Sequence, residues 1–145
     1  METVYEIKKI ETELEIEQCW DVAFLLRPHL DKNKWNATIA EMMQNEKYSI
    51  AGIIDNNKVV AFAGYRKMTS LHSGNIIYID DLCTLELYRG KGFATQLLDH
   101  VKEIALLLHK DAVVLDTAFT NNTAQKVYLK NGFELVAVHL TKRLK

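Results

Sequence analysis

The sequence predicts a mixed α/β fold in a single domain over residues 1–145, and three observations carry that reading. The apolar period switches between about 3.6 and 2 residues along the chain, so helices and strands are interleaved. The stretch from 75 to 119 reads strand, helix, strand, which is the order of a parallel crossover. Pro28 is the only proline and the six glycines are scattered, so no linker divides the chain. A chain that is 48% hydrophobic at this length can bury a core without metal or disulfide staples.

The N-terminal "TVYEIKKI", residues 3–10, alternates like a strand. "LEIEQCWDVAFLLRPHL" then places Leu14, Cys19, Val22, Phe24, Leu25 and Leu26 at mostly helical spacing, and predicts one helix that Pro28 closes. A second helix is expected from Asn33 to Asn45, because Trp35, Ile39, Met42 and Met43 share a face. "YSIAGIIDNNKVVAFAGYRKM" changes to a period of two and predicts a hairpin about Asn56-Asn57, residues that tolerate the positive φ of tight turns. After a loop around His72, Ser73 and Gly74, "NIIYIDDLCTLEL" is apolar and β-branched enough for a central strand. Its alternation is broken by Asp80 and Asp81.

From Phe93 to about Lys110 the residues Phe93, Ala94, Leu97, Leu98, Val101, Ile104, Ala105 and Leu108 trace one face of an amphipathic helix. "AVVLDTAF" is a short apolar run that reads as a buried, parallel strand. "NNTAQKVYLKNGF" supplies an Asn N-cap, a short helix and an Asn131-Gly132 stop. "ELVAVHLTKRL" is expected to end the chain as a long strand.

A net charge of -1 with 26% charged residues gives neither a basic stripe nor an acidic block, which argues against nucleic acid and against a membrane surface as partners. A small molecule is the expected partner. The longest apolar stretch, "IALLLH", is far shorter than the roughly 20 residues that span a bilayer, and the N-terminus has no apolar signal core. Cys19 and Cys83 lack metal-like or redox spacing, so no metal is expected and a reducing cytoplasm is the simplest location.

Glycines at the strand-to-helix junction "RGKGFA", Arg89 to Ala94, would let backbone N–H groups close around phosphate. An NTPase loop needs wider glycine spacing and a Lys-Ser/Thr pair, which the stretch lacks. A dinucleotide fingerprint belongs in the first strand-helix turn, whereas this one lies past mid-chain. "RGKGFA" reads R-x-x-G-x-A, and it resembles the Q/R-x-x-G-x-G/A signature of the GNAT superfamily of acetyl-CoA-dependent N-acetyltransferases. "IDDLCTLELYRGKGFATQLL" is similar to that family's fourth strand, turn and third helix, and "NNTAQKVYLKNGF" resembles its second motif through Asn121, Ala124, Tyr128 and Gly132-Phe133. Thr84 and Glu86 depart from the pattern, being polar and non-proline where relatives are usually apolar and proline.

The resemblance implies a GNAT fold: a mixed sheet of about six to seven strands with about four helices, the fourth and fifth strands splayed around the donor. It implies acetyl-CoA as cosubstrate, held at its pyrophosphate by Arg89, Gly90, Lys91, Gly92, Phe93, Ala94 and Thr95. The pantetheine arm would meet the backbone of Leu82, Cys83 and Thr84 and the side chain of Asn121. Tyr128 would be the general acid that protonates the leaving thiolate, or else a core tyrosine on its helix. Of Asp80 and Asp81, which in a regular strand point to opposite faces, one would deprotonate or bind the acceptor ammonium. Cys83 reads as a small buried hydrophobe and not as a nucleophile.

The implied reaction is direct attack by a primary amine, for which a small molecule, a peptide or a silent acyl-CoA sensor role are the alternatives. Trp20, Phe24, Arg27, His29, Trp35 and His72 stand where the family binds its acceptor. Dimerisation is common in the family.

Overall fold

The computed structural model describes residues 5–145. The start of the strand expected over 3–10 therefore lies outside the described residues, and β1 runs Glu6–Ile10. Two compact units are present, one ending at Leu115 and the other spanning Asp116–Lys145.

In the first unit β1 is followed by α1 (Glu13–Gln18), α2 (Trp20–Leu26) and α3 (Lys32–Asn45). The single helix expected over 14–30 is thus two short ones, broken at Cys19, so the described residues hold five α-helices and not four. Cys19 is wholly buried, and its N–H turns back to Ile16 while its carbonyl starts the next helix by accepting from Ala23. The change of axis lets Ile16 on α1 and Val22 and Ala23 on α2 all reach the core. α1 begins with a reciprocal cap in which Thr12 accepts from the Glu15 N–H and the Glu15 carboxylate accepts from Thr12.

β2 (Tyr48–Asp55) and β3 (Lys58–Ser70) form the expected hairpin, with Asn56 at φ 50 and Asn57 at φ 62 in the left-handed region that a two-residue turn requires. β4 (Gly74–Thr84) pairs antiparallel with β3, and β5 (Ala112–Leu115) pairs parallel with β4 after α4 (Phe93–Leu107). The sheet order is β1-β2-β3-β4-β5. Ile10, Tyr48, Ile50 and Phe62 on one face pack against Ile16, Val22, Trp35 and Ile39 of α1 to α3. The alternate residues Ala63, Tyr65, Ile77 and Ile79 are buried on the other face, which α4 covers with Phe93, Leu97, Leu98 and Val101.

In the second unit α5 (Asn122–Lys130) is capped by Asn121, whose side chain accepts from the Ala124 N–H at 3.1 Å. It stops at Gly132, φ +87, where the Phe133 N–H returns to the Tyr128 carbonyl. The long strand expected from "ELVAVHLTKRL" does not form: residues 134–145 carry no strand, and Leu135, Val138 and Leu140 are exposed. Alternation is compatible with a strand, but a strand also needs a neighbour to complete its ladder. The sheet therefore has five strands among the described residues, not six to seven.

Candidate active site

The two aspartates that break the alternation of β4 sit at a β-bulge. Tyr65 pairs with Ile79 and Gly64 with Asp81, so Asp80 is an extra residue on β4. The extra residue corrects the expectation that adjacent aspartates point to opposite faces. Arg66 and Tyr48 are directly paired across β2 and β3, hence on one face. Asp80 accepts from Arg66 Nε at 2.8 Å and Asp81 accepts from the Tyr48 hydroxyl at 2.7 Å, so both carboxylates lie on that face.

Only Asp81 lines a cavity of about 440 Å³ that α2 and α3 form with the sheet. Its second oxygen accepts from Arg27 Nη2 at 3.1 Å, and the same nitrogen donates to the Asp80 carbonyl at 3.2 Å. Leu26, Leu30, Trp35, Ile39, Met42 and Phe62 make the cavity walls apolar. Lys34 and His29 stand at its polar rim, and neither side chain makes a hydrogen bond or ion pair among the described residues. Asp31, also on the rim, caps α3 by accepting from the Asn33 N–H.

Burial governs the protonation of this face. Tyr48 is buried beside Asp81, and both effects raise its phenol well above the usual value, which keeps the hydroxyl a donor. Burial also raises the Asp80 carboxyl, against the opposing pull of the Arg66 guanidinium. Of the residues expected to bind the acceptor, Arg27, His29 and Trp35 line the cavity. Trp20, Phe24 and His72 are not among its lining; Trp20 instead stacks on Phe24 and meets Trp35 edge-on. Tyr48 and Arg66 escaped the sequence reading because their partners are distant in the chain, 33 residues away for the Tyr48–Asp81 bond.

Strands β4 and β5 pair only from Ile76–Ala112 to Ile79–Leu115, while β4 continues five residues further, to Thr84. The Leu85 N–H bonds to the Val60 carbonyl, so alternation along the ladder turns Cys83 toward β3 and turns the main-chain groups of Leu82 and Thr84 toward the open edge. Cys83 thus does not share the backbone position expected for it. Its side chain packs with the core, and burial pushes its thiol up, away from the nucleophilic thiolate. Arg89 Nε donates to the Thr84 carbonyl at 3.3 Å, which holds the start of the glycine turn against this edge.

A short 3-10 turn, Glu86–Tyr88, leads into Arg89, Gly90, Lys91 and Gly92. Gly90 and Gly92 both have φ +80, and a Cβ on either would meet nothing within 4 Å. These glycines serve backbone conformation and not tight packing. Gly92 is the N-cap of α4 and offers no side chain to its first turn, which also carries no acidic residue. Backbone N–H groups of Phe93, Ala94 and Thr95 begin that turn, the position in which a helix receives an anion. The Phe93 ring is buried against Tyr5 and Tyr88, so only its main chain can serve a ligand. An open backbone with a positive helix pole and exposed Arg89 and Lys91 fits a coenzyme pyrophosphate.

Asn121 and Tyr128 belong to the second unit, at the cap and in the last turns of α5. Tyr128 is half-buried and its ring meets Phe133 edge-on at 6.0 Å. Among the described residues no group of His, Cys, Asp and Glu is arranged to hold a metal ion, and no helix is long and apolar enough to cross a membrane.

The profile of the acetyltransferase (GNAT) family matches residues 5–133. The chain is 25% identical over 130 residues, 89% of its length and 92% of the relative's, to YhdJ of Bacillus subtilis (strain 168), an uncharacterized N-acetyltransferase. Its fold is similar to that of the aminoglycoside N-acetyltransferase AAC(6')-Iy in complex with CoA, with a TM-score of 0.83, 17% identity and coverage of 99% and 97%. A ribosomal-protein-alanine N-acetyltransferase from Brucella melitensis biovar Abortus 2308 has the same fold, with a TM-score of 0.80, 15% identity and coverage of 97% and 100%. With the family's profile spanning nearly all of it, the chain belongs to the GNAT acetyltransferase family and is an acetyl-CoA-dependent N-acetyltransferase.

Proposed function

We propose that the enzyme acetylates the primary amine of a small molecule by direct attack in a ternary complex, with residues 1–145 working as one catalytic domain. The observation that supports this most is the placement of Asp81. Its carboxylate lines a half-closed cavity of about 440 Å³, within the range of roughly 300–1,000 Å³ usual for small-molecule sites. One residue further along β4 begins the open edge at Leu82 and Thr84.

On this reading the glycine turn and the first turn of α4 hold the pyrophosphate, while the pantetheine arm pairs with the main-chain groups that Leu82 and Thr84 turn toward the open edge. A Leu82 or Thr84 N–H polarises the acetyl carbonyl. Asn121 adds a hydrogen bond to the arm. Asp81 seats the acceptor ammonium and takes its proton through a water; Asp80 supports the site through Arg66 and the bulge. The neutral nitrogen then attacks the thioester carbon, a C–N bond forms, the C–S bond breaks, Tyr128 gives the departing sulfur its proton, and the proton that the acylated nitrogen sheds restores the Tyr128 phenol. The free thiols Cys19 and Cys83 suit the reducing cytoplasm, where we place the enzyme.

The test is release of free CoA over parallel panels of small amines and of peptides with free N-termini or lysines. Turnover confined to small amines supports the proposal. Preferential turnover of peptides assigns the enzyme to protein substrates, and stabilisation by acetyl-CoA without turnover of any amine makes it a sensor.

A further inference from the structure

The charges around the cavity are balanced, and this bears on which amines enter it. The formal charges on its lining are Arg27 and Lys34 against Asp31 and Asp81, with His29 beside them. A polycationic acceptor needs several free carboxylates. Here one of the two caps α3 and the other already holds a guanidinium. Both oxygens of Asp81 are occupied, Oδ2 by the Tyr48 hydroxyl and Oδ1 by Arg27.

Tyr48 is buried and fixed, whereas the Arg27 side chain is 47% exposed and sits at the C-terminal end of α2. A carboxylate oxygen can accept a second bond, so an incoming ammonium shares Asp81 with the guanidinium beside it. A simple monoamine would set a second positive charge on the same carboxylate beside Arg27, with no anion to offset the repulsion between the two cations. An amine that carries an anion next to its nitrogen inserts into the pair instead, ammonium to Asp81 and anion to Arg27, and each charge only exchanges partners. Arg27 and Asp81 start 3.1 Å apart, so an acceptor whose two charges are adjacent inserts with the least movement of Arg27.

We infer that the acceptor is an apolar α-amino acid or a compound of the same pattern, with an ammonium, an adjacent anionic group and an apolar body against Leu26, Trp35 and Phe62, and that Arg27 is the residue selecting it. This deepens the proposed acetyl transfer and rests on that reading of the cavity.

Binding separates the two. Calorimetry on the CoA-saturated enzyme compares L-leucine, L-phenylalanine and L-methionine with their decarboxylated amines and with kanamycin. At least one amino acid should bind at least tenfold more tightly than its own amine and than kanamycin. Arg27→Gln should remove that preference by weakening the amino acid, and Arg27→Lys should keep most of it, with melting temperatures showing that both variants fold. Equal or tighter binding of the amines or of kanamycin, no binding by any of the three amino acids, or a preference unchanged in Arg27→Gln would overturn the inference. Selective binding without acetylation would leave it standing and refute the catalytic reading.

Discussion

Replacing Gly64 by alanine should collapse the acidic corner of the cavity. Gly64 pairs with Asp81 across β3 and β4, and the Tyr48 hydroxyl occupies the place where a Cβ would be. A Cβ at Gly64 would lie on top of that hydroxyl, 2.5 Å from the ring's Cζ and 3.0 Å from Asp81 Oδ2. Backbone of a central strand cannot give way by such an amount, so the buried ring must move and its 2.7 Å bond to Asp81 must break. Loss of a hydrogen bond to a charged acceptor costs about 1.5–3 kcal/mol and overpacking about 1–3 kcal/mol. The expected destabilisation is about 4 kcal/mol, which for a chain of this size lowers Tm by on the order of 10 °C. Urea unfolding followed by circular dichroism measures it. In a Tyr48→Phe background the hydrogen bond is already absent, so the two changes should be less than additive by about 1 kcal/mol or more. A Gly64→Ala protein within about 0.5 kcal/mol of the parent, an ordinary surface value, would refute the reasoning.

Tyr128→Phe should lower kcat by about a hundredfold with KM for acetyl-CoA nearly unchanged, as steady-state kinetics will show; unchanged kcat removes Tyr128 as the acid. Gly92→Ala puts a side chain at φ +80, costing about 1–2 kcal/mol, and should weaken acetyl-CoA binding by calorimetry more than it alters the KM of the amine. Glu15 is held down to about 2, first by the Lys8 ammonium and then by the N–H groups of Thr12 and Glu11. Its folded pKa is depressed, so its contribution is present above about 4.5 and disappears as pH falls toward 2. Glu15→Gln should therefore cost about 1 kcal/mol at pH 7 and nothing near pH 2 in matched unfolding curves.

What the sequence made legible was local. The Asn56-Asn57 turn, the Asn121 cap, the Gly132 stop and the glycine turn each depend on a few adjacent residues, and each forms as read. The break at Cys19 was hidden because Ile16, Val22 and Ala23 stay apolar on both sides of it, and nothing local marks a change of axis. The interruption at Asp80 and Asp81 was visible, but its consequence depended on the register against Gly64 and Tyr65. The cavity depends on pairs far apart in the chain, Arg27 with Asp81 being 54 residues apart. "ELVAVHLTKRL" shows the converse, an alternating pattern whose strand would need a partner that no local rule provides.

The open edge of β4 has a cost beyond the chemistry. Unpaired strand edges are templates on which another molecule's strand can add, and proteins usually cover or charge them. Leu82 and Thr84 lie beyond the last β4–β5 pair, with the Thr84 carbonyl met by Arg89, and on the proposed reading the acyl arm lies along this edge. A bound donor would then act as a substitute strand, and its supply would influence how readily copies of the enzyme self-associate.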